Sequence, residues 1–142
     1  MQADLLKAAD DFEKSLQQLA DKIESDFDQV LRKVLFDLLS MLMEDTPKDT
    51  VRCAGSWSLD THYSEWVLPP GDYREVDLSA KAQAIVVALP RSDVYVLYNN
   101  IEYLMALEDG HSKQAPSGFI ANALAAFTEK INEAVRALEG VA

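Results

Sequence analysis

From Ala3 to Met43, apolar side chains recur at three- and four-residue steps: Leu5, Ala9, Phe12, Leu16, Leu19, Ile23, Phe27, Val30, Val34, Leu38 and Met41. A turn of 3.6 residues returns those positions to one face, so the spacing predicts an amphipathic helix. Asp, Glu, Lys and Gln fill the positions between them. In the back half Leu31, Leu35, Phe36, Leu39 and Leu42 add a second apolar face. The back half therefore reads as buried and the front half as wet on one side, with a bend near Ser25. A helix of roughly forty residues spans about 60 Å at 1.5 Å per residue, more than the diameter of a domain this size. The chain alone can hardly cover such a length. The front half is expected at an interface with a neighbouring subunit rather than packed wholly on its own domain.

Pro47 ends this helix, and Thr46 to Thr50 form its exit loop. Asp49 or Thr50 can cap a short helix or turn that carries Arg52 and Trp57. Three period-two segments rich in Val, Ile, Tyr and Trp follow, at His62–Leu68, Gln83–Leu89 and Asp93–Tyr98. Pro69-Pro70-Gly71 and Pro90-Arg91-Ser92-Asp93 punctuate them. The short turn between Gln83–Leu89 and Val94–Tyr98 predicts an antiparallel hairpin. A last helix runs from near Ser117 to about Leu138 on a stripe of Ile120, Leu124, Phe127, Ile131, Val135 and Leu138. The expected class is α+β, with a long N-terminal helix, a small and mainly antiparallel sheet, and a C-terminal helix packed on that sheet. With 142 residues, one domain over 1–142 is expected, with 1–43 as the long helix and 44–142 as an α/β core.

Charge narrows the function. The net charge is −11, and no cluster of Lys and Arg offers the counterion release that phosphate binding needs. Sequence-specific binding of DNA or RNA is not expected, whereas repulsion of DNA suits this composition. Cys53 is the single cysteine, which excludes an internal disulfide and a cysteine-rich zinc site. Beside Trp57 it reads as a small, partly buried hydrophobe. No stretch reaches the length of a membrane span, and the acidic start lacks the basic opening of a signal peptide. The expected place of action is the cytoplasm or something assembled there.

Chemistry is sparse. His62 and His111 are the only histidines. Neither an Asp-x-Asp-x-Asp-Gly loop nor a His-x-x-x-His pair is present, and no glycines are spaced as a phosphate loop. The densest segment, Asn99 to Phe119, reads NNIEYLMALEDGHSKQAPSGF. Tyr103, Leu104 and Leu107 form an apolar ridge with Glu108 one step beyond. Gly110 permits a positive φ, and Pro116 biases Ala115 towards an extended backbone. Glu108, His111 and Ser112 hold the residue types of a triad, but neighbours in sequence seldom meet in that geometry. Glu108 is expected instead to accept bonds from loop N–H groups or to pair with an arginine, while Ser112 and Gln114 satisfy other loop donors. Trp57 and Trp66 read as core or interface anchors. Neither an enzyme nor a cofactor or metal site is expected.

The same residues carry a resemblance. Asn99, Asn100 and Tyr103 precede a Glu-x-Gly-x-Ser-x-Gln-Ala-Pro-x-Gly string made by Glu108, Gly110, Ser112, Gln114, Ala115, Pro116 and Gly118, with His111 inside it. Upstream, Thr46, Pro47, Asp49, Thr50, Ser56 and Trp57 fit a Thr-Pro-x-Asp-Thr-Gly-x-x-x-x-Ser-Trp string, departing from it at Val51, where the pattern has glycine. Both strings, in this order, resemble those of the tail-completion or neck proteins of tailed double-stranded-DNA bacteriophages, relatives of the minor tail protein Z of phage lambda. The resemblance implies a non-enzymatic structural protein of the virion neck, assembled in the host cytoplasm. It further implies a homo-oligomeric ring, commonly hexameric, on the tail axis, with a head–tail connector and a tail terminator or tube protein as neighbours. DNA would pass through such a ring without specific binding, and no membrane is involved. Asp10, Asp11, Glu13, Glu24, Asp26 and Asp28 make the front helix acidic, and part of that face is expected to border the channel. A small cytoplasmic adaptor and a ligand-binding domain are the alternatives.

Overall fold

The computed structural model describes residues 2–22, 27–48, 50–110 and 118–141. The elements in chain order are α1 (Gln2–Lys22), α2 (Phe27–Asp45), α3 (Arg52–Gly55), β1 (Ser58–Asp60), α4 (Leu78–Ala88), β2 (Val96–Tyr98), α5 (Leu104–Glu108) and α6 (Phe119–Val141). Helices dominate, and one small antiparallel sheet completes an α+β fold.

The single helix expected over Ala3–Met43 is corrected to two. Leu19 of α1 shares a buried cluster with Ile131 and Val135 of α6, against which Phe12, Leu16, Val30 and Val34 pack. Leu5 and Phe12 also reach the main core around Leu35, Leu38 and Leu39. In one straight helix Leu5 and Leu38 would stand about 50 Å apart. α2 instead reverses direction, so that its Leu31, Leu35 and Leu38 line the same groove as Leu5, Phe12 and Leu16 of α1. Periodicity reports the face of a residue and is blind to a reversal, because two antiparallel helices keep the same 3.6-residue pattern. The bend expected near Ser25 falls outside the described residues.

α6 starts at Phe119 and packs chiefly on α1, with further contact to α2. Asp4 and Ala8 share a cleft with Ala121 and Ala125, and Lys14 and Ser15 share the next with Asn132 and Arg136. The two helices therefore run parallel. Ser15, buried in the seam, donates to Asn132 Oδ1 at 2.7 Å. At its N-terminal end α6 shares the main core with the sheet, where Phe119, Ile120 and Leu124 join Trp57 and Leu59. The front helix is thus covered by its own domain along the α6 side.

The strands also differ from expectation. β1 pairs with β2 in antiparallel register, Ser58 to Tyr98, Leu59 to Leu97 and Asp60 to Val96. The Asp93–Tyr98 expectation survives as β2, but its partner is β1. Gln83–Leu89 lies largely in α4, so the hairpin is corrected. Ala82, Val86 and Leu89 are buried at four- and three-residue spacing, and the Asp77 carboxylate accepts from Ala80 N at 3.1 Å as an N-cap. The alanines around Ile85, Val86 and Val87 favour that helix more than three β-branched residues oppose it. Arg32 of α2 closes the other end by donating to Val86 O at 2.9 Å. His62–Leu68 is likewise not a strand of the sheet. It belongs to an irregular stretch held by side chains.

Candidate functional site

The first string builds the junction after α2. Thr46 caps that helix from within, its N–H donating to Leu42 O at 3.0 Å and its hydroxyl to the same carbonyl at 2.5 Å. Trp57 Nε1 donates to Thr46 Oγ1 at 2.8 Å, and both residues are buried. The indole can thus enter the core without an orphaned N–H. Pro47 is half-buried after the helix end, and Asp49 lies outside the described residues. Thr50 uses its carbonyl to accept from Tyr73 N at 2.7 Å, which ties the irregular 61–77 stretch to α3.

At Val51 the backbone takes φ 66° and ψ 3°, the left-handed region, as the N-cap of α3. A β-branched side chain is strained there. The chain accepts that conformation because Val51 is buried and its carbonyl receives Gly55 N at 2.8 Å.

The second string splits between two places. Asn99 joins the first string: its Nδ2 donates to Cys53 O at 2.9 Å and its Oδ1 accepts from Ile101 N at 3.0 Å. Tyr103 precedes α5 and is partly exposed beside Arg52, while Arg52 pairs with Glu102 at 3.1 Å. Burial raises the Tyr103 hydroxyl above its ordinary range. Glu108 lies elsewhere, at the base of α6, and is 1% exposed. Its Oε1 accepts from Ile120 N at 2.7 Å and its Oε2 from Ala121 N at 3.3 Å. Its carbonyl accepts from Gly118 N at 2.6 Å. A carboxylate at a helix N-terminus meets unpaired N–H groups and the positive end of the dipole. Glu108 is therefore an N-cap supplied from α5. Gly110 has φ 96° and Gly118 φ 79°, one ending α5 and the other opening α6.

His111, Ser112, Gln114 and Pro116 lie outside the described residues. With both carboxylate oxygens of Glu108 engaged by backbone donors, the acid is committed to helix capping rather than to orienting a base. Cys53 is buried, and burial pushes its thiol up to about 12, although Asn99 and the Arg52 charge pull the other way. A thiol held protonated is a poor nucleophile. Among the described residues, no group of three His, Cys, Asp or Glu side chains is placed to hold a metal ion. No helix among them is long and apolar enough to cross a membrane.

Sequence reasoning named Asn100, Arg52, Ser56 and Trp66 but not their part in fixing the 61–77 stretch, and it missed Lys81. Asn100 Nδ2 donates to Ser64 O at 2.7 Å and Trp66 O at 3.0 Å. Arg52 Nε donates to Leu68 O at 2.8 Å, and Ser56 Oγ accepts from Leu68 N at 3.2 Å. Lys81 Nζ reaches Gly55 O at 2.6 Å and stands 5.2 Å from the Trp66 ring centre, with desolvation lowering its pKa. A lone lysine or arginine in an apolar neighbourhood was the available signal. Sequence reasoning also missed an apolar groove of about 740 Å³ between α1 and β2, floored by Leu35, Leu38, Trp57 and Leu59.

Compared with known proteins, the chain matches no protein-family model, no curated protein and no solved structure.

Proposed function

We propose that this chain is a structural subunit of a phage neck, a tail-completion protein that assembles into a ring on the tail axis. One observation supports the reading most. Among the described residues, the positive-φ positions are Val51, Gly110 and Gly118. These are the three positions at which the two family strings carry glycine. The backbone at residue 51 takes a glycine-like conformation where the string has glycine, which supports the resemblance at the one position where the residue departs from it. The strings serve as fold-closing joints, which suits a subunit whose work is to hold shape under assembly forces.

In this reading the acidic side of α1 borders the channel. Lys7 pairs with Asp11 at 2.8 Å and Lys14 with Asp10 at 2.9 Å, so the repulsion of DNA comes from the net charge of the face. A ring closed by rotation needs two different complementary surfaces on each subunit. An adaptor or ligand-binding domain is the second reading, and the apolar groove favours it.

Deleting the gene from its phage tests the proposal. The expected result is separate heads and tails without infectious particles, restored by supplying the protein. Normal infectivity of the deletion would refute it. Light scattering on the purified chain separates the second reading, which expects a monomer under all assembly conditions.

A further inference from the structure

We infer that the groove between α1 and β2 is a docking site for an extended segment of another protein, which joins the sheet as a third strand beside β2. The inference goes beyond the neck reading and does not rest on it. β2 has one neighbour, β1, so its other edge is unpaired in the sheet. Among the described residues, 95–98 make no backbone hydrogen bond outside that pairing. The run Val94-Tyr95-Val96-Leu97-Tyr98 contains no charge, proline or glycine. Edge strands left open are usually blunted by Lys, Pro or a bulge, because unpaired N–H and C=O groups template further pairing. This edge carries none of those three, its short length being the one restraint on further pairing, and Val94, at the start of the run, is 61% exposed.

The groove lies against the face of the sheet that the paired Leu59 and Leu97 share, and a strand added beside β2 would continue that face. Asp93, Val94, Tyr95 and Leu97 form one wall, and Leu5, Ala9, Phe12 and Leu16 of α1 form the other. Its volume of about 740 Å³ falls within the range of roughly 300–1,000 Å³ typical of ligand sites. A strand alternates its side chains, so every second residue of an added segment would fall into the groove and the others would face solvent. Main-chain bonds would supply the register, and the apolar pockets the selectivity.

Charge identifies the occupant. Glu13 and Asp93 are the acidic side chains of the lining, both exposed, on a chain of net charge −11. A second copy would bring the same acidic balance to an acidic rim. The complementary partner is a segment apolar at alternate positions and flanked by Lys or Arg.

A set of synthetic peptides tests this on the full chain. The probe is an eight-residue alternating Val/Thr peptide with lysine flanks, compared with a glutamate-flanked twin and a twin with proline at alternate positions. The lysine-flanked peptide is expected to bind saturably and to slow amide hydrogen exchange within Val94–Tyr98. The glutamate twin should bind at least about tenfold more weakly, and the proline twin should not bind. Ala9→Phe, on the exposed helix wall, should abolish binding while circular dichroism and Tm stay unchanged. Reversing the rim with Glu13→Lys and Asp93→Lys should invert the flank preference. Equal binding of the proline twin would show simple apolar filling and overturn strand addition. Self-association of the free chain that Ala9→Phe abolishes would place a second copy in the groove and overturn the partner. No binding by any peptide would overturn the site itself, whatever the deletion phenotype.

Discussion

The two buried polar joints solve the same problem with different chemistry. At the end of α2, a neutral hydroxyl links the Leu42 carbonyl to the Trp57 indole. At the start of α6, the Glu108 carboxylate answers the N–H groups of Ile120 and Ala121. A neutral pair loses about 1 kcal/mol when one bond goes, whereas charge-assisted bonds are worth roughly two to three times as much. The charged joint ties two consecutive helices, α5 and α6. Its loss frees a helix end, while loss of the neutral joint only unsettles a side chain.

Urea unfolding should separate the two. Glu108→Ala should cost about 3 kcal/mol or more, because it leaves a buried and a part-buried donor and a void. Thr46→Val keeps the shape and should cost about 1–2 kcal/mol, chiefly from the orphaned Trp57 N–H. Should Thr46→Val prove the costlier change, the contrast between charged and neutral joints fails.

Val51 sharpens the comparison from the backbone side. At an ordinary buried position, glycine is less stable than alanine by about 1 kcal/mol. At φ 66° alanine keeps the Cβ strain and glycine removes it. Val51→Gly should therefore be at least as stable as Val51→Ala, by up to about 1 kcal/mol. The usual order in their Tm values would remove the left-handed turn from the account.

The smallest effect is silent at neutral pH. The folded chain holds the Cys53 thiol protonated, its pKa pushed up to about 12 from 9.0, while the unfolded chain ionises near the ordinary value. Stability from this preference is whole below the unfolded pKa and drains away as pH rises towards 12. Burial raises Tyr103 as well, adding a loss of the same sign that begins as pH passes the ordinary tyrosine value of 10.0. Urea midpoints should fall between neutral and alkaline pH, and Cys53→Ala should flatten that fall. An identical slope in the variant would show that the thiol is not the sensor.

Legibility followed the physics of each signal. α6 was readable because its apolar residues repeat over many turns, as Ile120, Leu124, Phe127, Ile131 and Val135 do. α2 was readable for the same reason, but its fold-back on α1 was not. α4 was misread because Ile85, Val86 and Val87 suggest a strand, although Asp77 and the Ala82–Val86 spacing marked a helix. At the site, the positive φ at Gly110 followed from residue type. The partners of Glu108 were anticipated only as backbone donors, since sequence does not reveal which helix end meets a buried acid. The groove was invisible, because it exists only once α1 lies opposite β2.

The Ser15–Asn132 bond links residues 117 positions apart, and this separation bears on the order of folding. Translation at about 5–20 residues per second leaves on the order of ten seconds between the appearance of α1 and that of its companion helix. During that interval the Leu19 side of α1 has no Ile131 or Val135 to meet. Long-range contacts of this kind also slow folding, since a large loop must close before they form. The opening segment of the chain thus completes its packing only after α6 has emerged.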